Sequence, residues 1–454
     1  MTPKQLRRKK FLDNTKNKTI NLRKHLNFDA LTKTFRQDFE RIPDQRAANA
    51  KISLDDALMS GFAMFSLKDP SLLAFDERRR NEPKSLHGTY GIKNIPCDSQ
   101  MRTILDEIDP GYLRRSFRSV FSQLQRGKVL EKMTWRDGHY LLALDGTGIY
   151  SSEKVSAPYC LKKTKRNGRV EYYQQMLGAA IVHPDRREVL PLCPEMIIQQ
   201  DGTKKQDCER KATQRFLADF RREHPHLKCV VIEDGLSSNA PHIEDLVEHG
   251  MHFILGAKPG DHAYLFEQMD QALEQGKAME FSQPDPVKKD ILHTYHYVNG
   301  VSLNKSNPDL LVNLLEYWQV DGKGKIIRFS WVTDMEITRE NVYDIMRAGR
   351  ARWRIENETF NTLKNQGYNL GHNYGLGQKH LSAVFVHLMM LAFLVDQIQQ
   401  LTCPLFQAAL QSCRCKISLW EKIRGYFHDF ICPSMEAILW AIVDKPQVEL
   451  STTR

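Results

Sequence analysis

Two short apolar runs constrain the fold most. Residues 140–145 read YLLALD and residues 227–233 read LKCVVIE, and each leads into an aspartate followed by glycine, Asp145-Gly146 and Asp234-Gly235. A short, nearly unbroken apolar run is a central strand covered on both faces, as parallel strands are. Between and beyond these runs the pattern alternates. Residues 205–222 have helical character. Asn239-Ala240-Pro241 opens another helix, with Asn as cap and Pro in the first turn, and Gly250 closes it. Residues 253–257 are again strand-like. Residues 176–182 and 189–192 flank His183-Pro184-Asp185, a hairpin turn. Strand, helix and strand in alternation predict an α/β fold, a mixed sheet with flanking helices.

The rest of the chain is arranged around that sheet. Residues 1–40 form a basic, helix-prone arm. Residues 53–73 are one predicted helix with Ser53 as N-cap, 76–82 a charged loop, and 96–108 and 112–124 two further helices. Residues 260–327 carry polar loops and short strand-like pieces and are predicted to be an insertion. Residues 329–333 (FSWVT) return to strand, and 338–365 and 381–401 are long helical stretches. Three parts follow: a helical, basic part over 1–135, the α/β part over 136–400 with its insertion at 260–327, and a helical part over 401–454.

Residues 383–395 (AVFVHLMMLAFLV) form the longest apolar run and include His387. The run falls short of the ~18 residues that cross a bilayer, so a buried helix and no membrane association are expected. The N-terminus is basic and polar and does not read as a secretory signal. An odd set of nine scattered cysteines argues against a disulfide framework. The expected location is therefore cytoplasmic, or on DNA inside the cell.

Formal net charge is +10, and the excess is clustered. Residues 1–25 carry Lys4, Arg7, Arg8, Lys9, Lys10, Lys16, Lys18, Arg23 and Lys24 against Asp13. Lys162, Lys163, Lys165, Arg166 and Arg169 form a second cluster, and Arg347, Arg350, Arg352 and Arg354 a third. Any one of these is also an ordinary solvated face. Three together favour a polyanion, because each phosphate contact releases condensed counterions.

The acids point to chemistry at the sheet. Ligands of α/β sheets bind at the carboxyl ends of strands, where Asp145 and Asp234 are predicted to stand, each facing an open glycine turn. Singly, each is also an ordinary turn-forming Asp. A third acid comes from the helix over 338–365. At about 100° per residue, Ile345, Met346, Arg352, Trp353, Phe360, Leu363 and Lys364 share the inward side with Glu356. Arg347, Arg354, Glu358 and Asn361 lie opposite. Glu358 then pairs with Arg354 in solvent, whereas an inward Glu356 needs a partner or a metal. Arg352, one turn earlier, is the structural alternative. Two strand-end acids and one helix acid offer hard oxygen ligands suited to two Mg²⁺ or Mn²⁺ ions. Arg352 and Lys364 are placed to hold phosphates beside them.

At these residues the chain resembles bacterial insertion-sequence transposases of the DDE class, which have an RNase H-like catalytic fold. The segments are ALDGTGIYSS (143–152), VVIEDGLSSNAPHI (230–243), FILGAKPGDH (253–262) and RARWRIENETFNTLKNQGYNLGHNYGLG (350–377). The last is similar to the family's Tyr-Arg-Glu-Lys signature. Residues 86–108 resemble the N-terminal domain of some members. The resemblance implies Asp145, Asp234 and Glu356 as catalytic metal ligands, Arg352 and Lys364 as DNA-contacting residues, and a β-rich insertion between the second Asp and the Glu. It also implies double-stranded DNA as substrate (element ends and target) and a homodimer on DNA. Gly349 stands at the signature Tyr position. Lys364 lies eight residues after Glu356 where seven is usual, which one extra residue such as Asn357 would explain. Only Cys160 stands where some relatives carry paired cysteines, so zinc is not expected. Three readings follow: a transposase that cuts and rejoins DNA, a two-metal nuclease without strand transfer, and a non-catalytic DNA-binding descendant.

Overall fold

The computed structural model describes residues 23–47, 49–197 and 208–445. Its centre is one mixed sheet in the order β2-β3-β1-β6-β7-β11-β10-β9-β8, with β4 and β5 also paired to β3. Strand β1 spans Tyr140–Ser152, β2 Leu161–Thr164, β3 Val170–Val182, β4 Leu190–Pro191 and β5 Glu195–Ile197. Strand β6 spans Cys229–Glu233, β7 His252–Gly256, β8 Met279–Pro284, β9 Leu292–Asn304, β10 Asn307–Val320 and β11 Ile326–Thr333. β1, β6 and β7 run parallel, and β3 and β11 flank them antiparallel. Leu141–Leu144 and Cys229–Glu233 are buried throughout, which is why these strands read as unbroken apolar runs.

The N-terminal helices are α1 (Phe28–Phe39), α2 (Leu54–Ser66), α3 (Leu72–Asn81), α4 (Pro83–Tyr90), α5 (Asp98–Asp106) and α6 (Arg114–Arg126). Two expectations fail here. The single helix over 53–73 is two helices, broken at Lys68, which turns the chain with φ +61°. The charged stretch over 76–82 is helical rather than looped. It lies largely in α3, where Arg79 and Arg80 pair with Asp76 on the same helix. Such local ion pairs make a polar segment helical without an apolar stripe.

Around the sheet lie α7 (Glu209–Glu223), α8 (Ala240–Glu248), α9 (Ala263–Glu274), α10 (Val342–Ala351), a π-helical turn over Ile355–Phe360, and α11 (Asn361–Asn365). Asn239 caps α8, accepting from the His242 N–H at 3.3 Å, and Gly250 follows with φ +61°. The insertion is β-rich, as the resemblance implied, but β9 and β10 are longer than the short strand-like pieces expected. It opens with α9, and β8, β9 and β10 are long antiparallel strands that widen the same sheet. β8 is mostly exposed and much of β10 only half buried, so their apolar pattern is diluted.

Helix α12 (Leu381–Thr402) is long and apolar enough to cross a membrane, but it is buried inside the protein. It packs against α2 and α5 on one side and reaches β4 on the other, so the N-terminal helices and the sheet share one core. Helices α13 (Pro404–Gln411), α14 (Lys416–Asp429) and α15 (Met435–Asp444) close the described chain.

Candidate active site

The sheet parts where the acids stand. Pairing between β1 and β6 stops at Ala143 opposite Ile232. Beyond it β1 continues, still paired to β3, through Gly146-Thr147-Gly148 to Ser152. The expected glycine turn after Asp145 is therefore strand, and the opening lies on the β6 side. Asp145 sits two residues past the last parallel pair. Asp234 is the first residue beyond β6, and its Oδ1 accepts from the Leu236 N–H at 2.9 Å, so it also shapes the local turn. Asp145 lies opposite Gly178 of β3, and Phe360 of the π turn packs against Gly178. The π turn thus covers the face of the sheet to which Asp145 points.

Arg352 joins two of the acids. Its Nη1 lies 3.2 Å from Asp145 Oδ2 and 2.9 Å from Glu356 Oε1. The structural pairing weighed for Glu356 therefore forms, and it extends to Asp145. Burial pushes the Asp145 carboxyl up to about 7; Glu356 and Glu209 add to the rise, and the Arg352 guanidinium opposes it. Glu209, the first residue of α7, is also raised, by burial and then by Asp234 and Glu233. Its carboxylate seats against Gly146, in the space an added Cβ would occupy. Sequence reasoning missed Glu209: an acid in the first turn of a helix is ordinary, and the strand it faces is 63 residues away by number (209 − 146).

The π turn explains the Lys364 spacing. Eight residues of regular helix would place Lys364 about 80° from Glu356. An i→i+5 turn takes one extra residue, which brings the effective offset to about 20°. Lys364 Nζ donates to Thr147 Oγ1 at 2.8 Å, two residues from Asp145. The regular-helix assignment of faces fails in part. Trp353, expected inward, is 45% exposed. Glu358, expected in solvent, is less exposed than Glu356, though it does pair with Arg354 at 3.4 Å. At the signature Tyr position no larger side chain fits beside Gly349, because the Trp331 indole fills that space.

The other predicted cations are dispersed. Arg350 donates to Gln319 Oε1 at 2.7 Å, and Arg354 to the Pro184 carbonyl at 3.0 Å. Both line a cavity of about 350 Å³ with Arg347, Trp353 and the buried His293, beside the acids' helix. Lys162, Lys163, Lys165 and Arg166 lie on the β2–β3 hairpin; Lys163 pairs with Glu171 at 2.7 Å and Lys165 with Glu153 at 2.8 Å. Arg7, Arg8, Lys9 and Lys10 lie outside the described residues.

The donor set suits a hard cation. Asp145, Asp234 and Glu356 are half buried with the exposed Glu209 beside them, and one guanidinium, that of Arg352, pairs with two of these acids, an imbalance that divalent ions with oxygen ligands offset. Among the described residues no three acidic, His or Cys side chains are yet drawn close enough to cage an ion, and Arg352 bridges two of the acids instead. Cation binding would require that guanidinium to swing aside. In EDTA the Asp145 carboxyl, raised from 3.8 to about 7, binds its proton more tightly folded than unfolded. Its favourable contribution is complete below about pH 4 and fades as pH rises towards 7. Asp145→Asn is therefore expected to stabilise the metal-free protein at pH 8 by on the order of 2 kcal/mol and to have no such effect at pH 3.5. Thermal unfolding at the two pH values checks this.

A mixed, RNase H-like sheet with acids gathered where its parallel strands part defines a class of nucleic-acid enzymes. The transposase DDE domain family matches residues 136–394, more than half of the chain and the whole of that sheet. The chain belongs to this family. No curated protein matches it.

Proposed function

We propose that this transposase-family protein cleaves DNA and joins the freed 3′ end to new DNA, in cut-and-paste movement of an insertion sequence. The observation that carries the reading is the meeting of Asp145 and Glu356 on one guanidinium, with Asp234 at the adjacent strand end. These three acids would hold two Mg²⁺ or Mn²⁺ ions. Bound there, such ions supply activation of the attacking oxygen and neutralise charge at the leaving oxygen.

The chain's own residues position the DNA. Arg352, freed from the acids, turns its planar fork to a phosphate. Lys364, held beside Asp145 through Thr147, contributes a second positive charge. In cleavage a water oxygen bonds to phosphorus, the P–O3′ bond breaks, and the leaving 3′ oxygen takes a proton. In joining, that 3′-hydroxyl attacks a target phosphate by the same exchange. Residues 1–135 would bind the element's terminal inverted repeats, and two copies would bring two ends together.

The test is a strand-transfer assay with Mg²⁺ on the element's terminal repeats. Cleaved and joined products support the proposal. Cleavage without joining leaves a nuclease, and binding without cleavage leaves a non-catalytic DNA-binding protein. Removal of residues 1–25 is expected to weaken DNA binding by at least tenfold near 0.1 M salt. It should also flatten the salt dependence, by roughly 0.9 in log–log slope per lost phosphate contact. Fluorescence anisotropy across a salt series checks both.

A further inference from the structure

We propose that Glu209 is a fourth acidic ligand of the metal centre, reaching Asp145 and Asp234 from the opposite face of the sheet and giving an oxygen to a cation they share. The inference deepens the two-metal reading and rests on it.

The geometry starts from β1. Successive side chains on a strand point to opposite faces. Asp145 points to the face covered by the π turn, so position 146 points to the other, where α7 lies across β1, β3 and β5. An interior strand would keep the two faces apart. Here the β1–β6 ladder ends at Ala143 and Ile232, and beyond that rung the strands leave a notch. Gly146 at its edge has no side chain, and the Glu209 carboxylate occupies the space a Cβ would need.

Glu209 is held there by the rest of its helix. Phe216, Leu217 and Phe220 are buried beneath α7. Arg215 Nε pairs with Glu195 Oε1 at 2.6 Å, and Arg114 Nε with Glu223 Oε1 at 2.8 Å. The first turn is thereby fixed over the notch.

The Glu209 carboxylate is exposed at the notch, accepts from the Gly146 backbone, and lies within electrostatic reach of Asp234, Glu233 and Arg352. No ion pair to Glu209 forms among the described residues. Glu233 is already paired with His242, Nε2 to Oε2 at 2.5 Å, whereas Glu209 accepts from the Gly146 backbone. A merely structural Glu at a helix start would favour folding through the helix dipole. A ligand carboxylate crowded by other acids should instead oppose folding until a cation arrives.

The test uses the full chain and Mn²⁺ as probe, with free Mn²⁺ followed by electron paramagnetic resonance and Tm measured in EDTA and in Mn²⁺. Glu209→Gln is expected to weaken Mn²⁺ binding by about tenfold or more and to shrink the Mn²⁺-induced rise in Tm. Glu209→Asp, which keeps the charge, should restore part of both and serves if the Gln variant does not fold. Glu358→Gln should match the unsubstituted protein. The proposal is overturned if Glu209→Gln titrates like the unsubstituted protein while Asp234→Asn loses Mn²⁺. If Asp234→Asn and Asp145→Asn also bind Mn²⁺ normally, the two-metal reading itself fails.

Discussion

Asp145→Ala, Asp234→Ala and Glu356→Ala should each abolish DNA cleavage, a loss of at least a thousandfold, while binding to the element ends stays within about threefold. The magnitude follows from what an acid in this position does. If each carboxylate helps hold cations that neutralise the reacting phosphate, its loss removes stabilisation present mainly in the transition state, and ~4 kcal/mol corresponds to a thousandfold in rate. On the proposed reading DNA affinity should draw instead on cations of the arm, the β2–β3 hairpin and the helix around Glu356, which these substitutions leave in place. Glu358→Ala is the matched control. It lies two residues from Glu356 and pairs with Arg354 rather than Arg352. A part-exposed pair of this kind contributes ~1 kcal/mol or less, so activity should stay within about threefold. Gel assays for cleavage and anisotropy for binding separate the two effects. Equal inactivity of Glu358→Ala and Glu356→Ala would contradict the account.

Lys68→Ala should be strongly destabilising, lowering stability by about 3–5 kcal/mol. Lys68 is fully buried in the break between α2 and α3. Its Nζ lies 2.6 Å from Asp396 Oδ2 on α12, with the Tyr368 and Trp420 rings 4.1 and 4.2 Å away. Tyr368 donates its hydroxyl to the same carboxylate. One ammonium therefore joins the N-terminal helices, the loop after α11, α12 and α14. Removing it leaves Asp396 buried with the Tyr368 hydroxyl alone. Lys68→Ala,Asp396→Leu should recover much of the loss, because the uncompensated charge goes too. Chemical denaturation of the three proteins checks both statements. A loss under 1 kcal/mol for Lys68→Ala would show that this charge pair does not hold the parts together.

Much of the sheet was legible because its parallel strands are covered on both faces. Residues 140–145 and 227–233 carried that fact in their composition, and Asn239 and Gly250 marked the ends of α8. What escaped was set by context. The reach of β1 past Asp145 depends on its partner β3, since Gly146-Thr147-Gly148 alone reads as a turn. The break at Lys68 depends on Asp396, 328 residues away. The site was legible in its types of residue and less so in its geometry. Arg352 and Glu356 meet as one helical turn requires, but Trp353 between them is exposed, and the π turn beyond brings Lys364 towards Thr147. Glu209 left no mark, because its significance comes entirely from the strand it meets.

The most direct measurement is anomalous diffraction from the full chain bound to terminal-repeat DNA in Mn²⁺. The account predicts manganese peaks about 2.0–2.2 Å from carboxylate oxygens of Asp145, Asp234 and Glu356, with Arg352 moved from between Asp145 and Glu356 onto a phosphate. Manganese bound elsewhere, with Arg352 still bridging those two acids against the DNA, would contradict it.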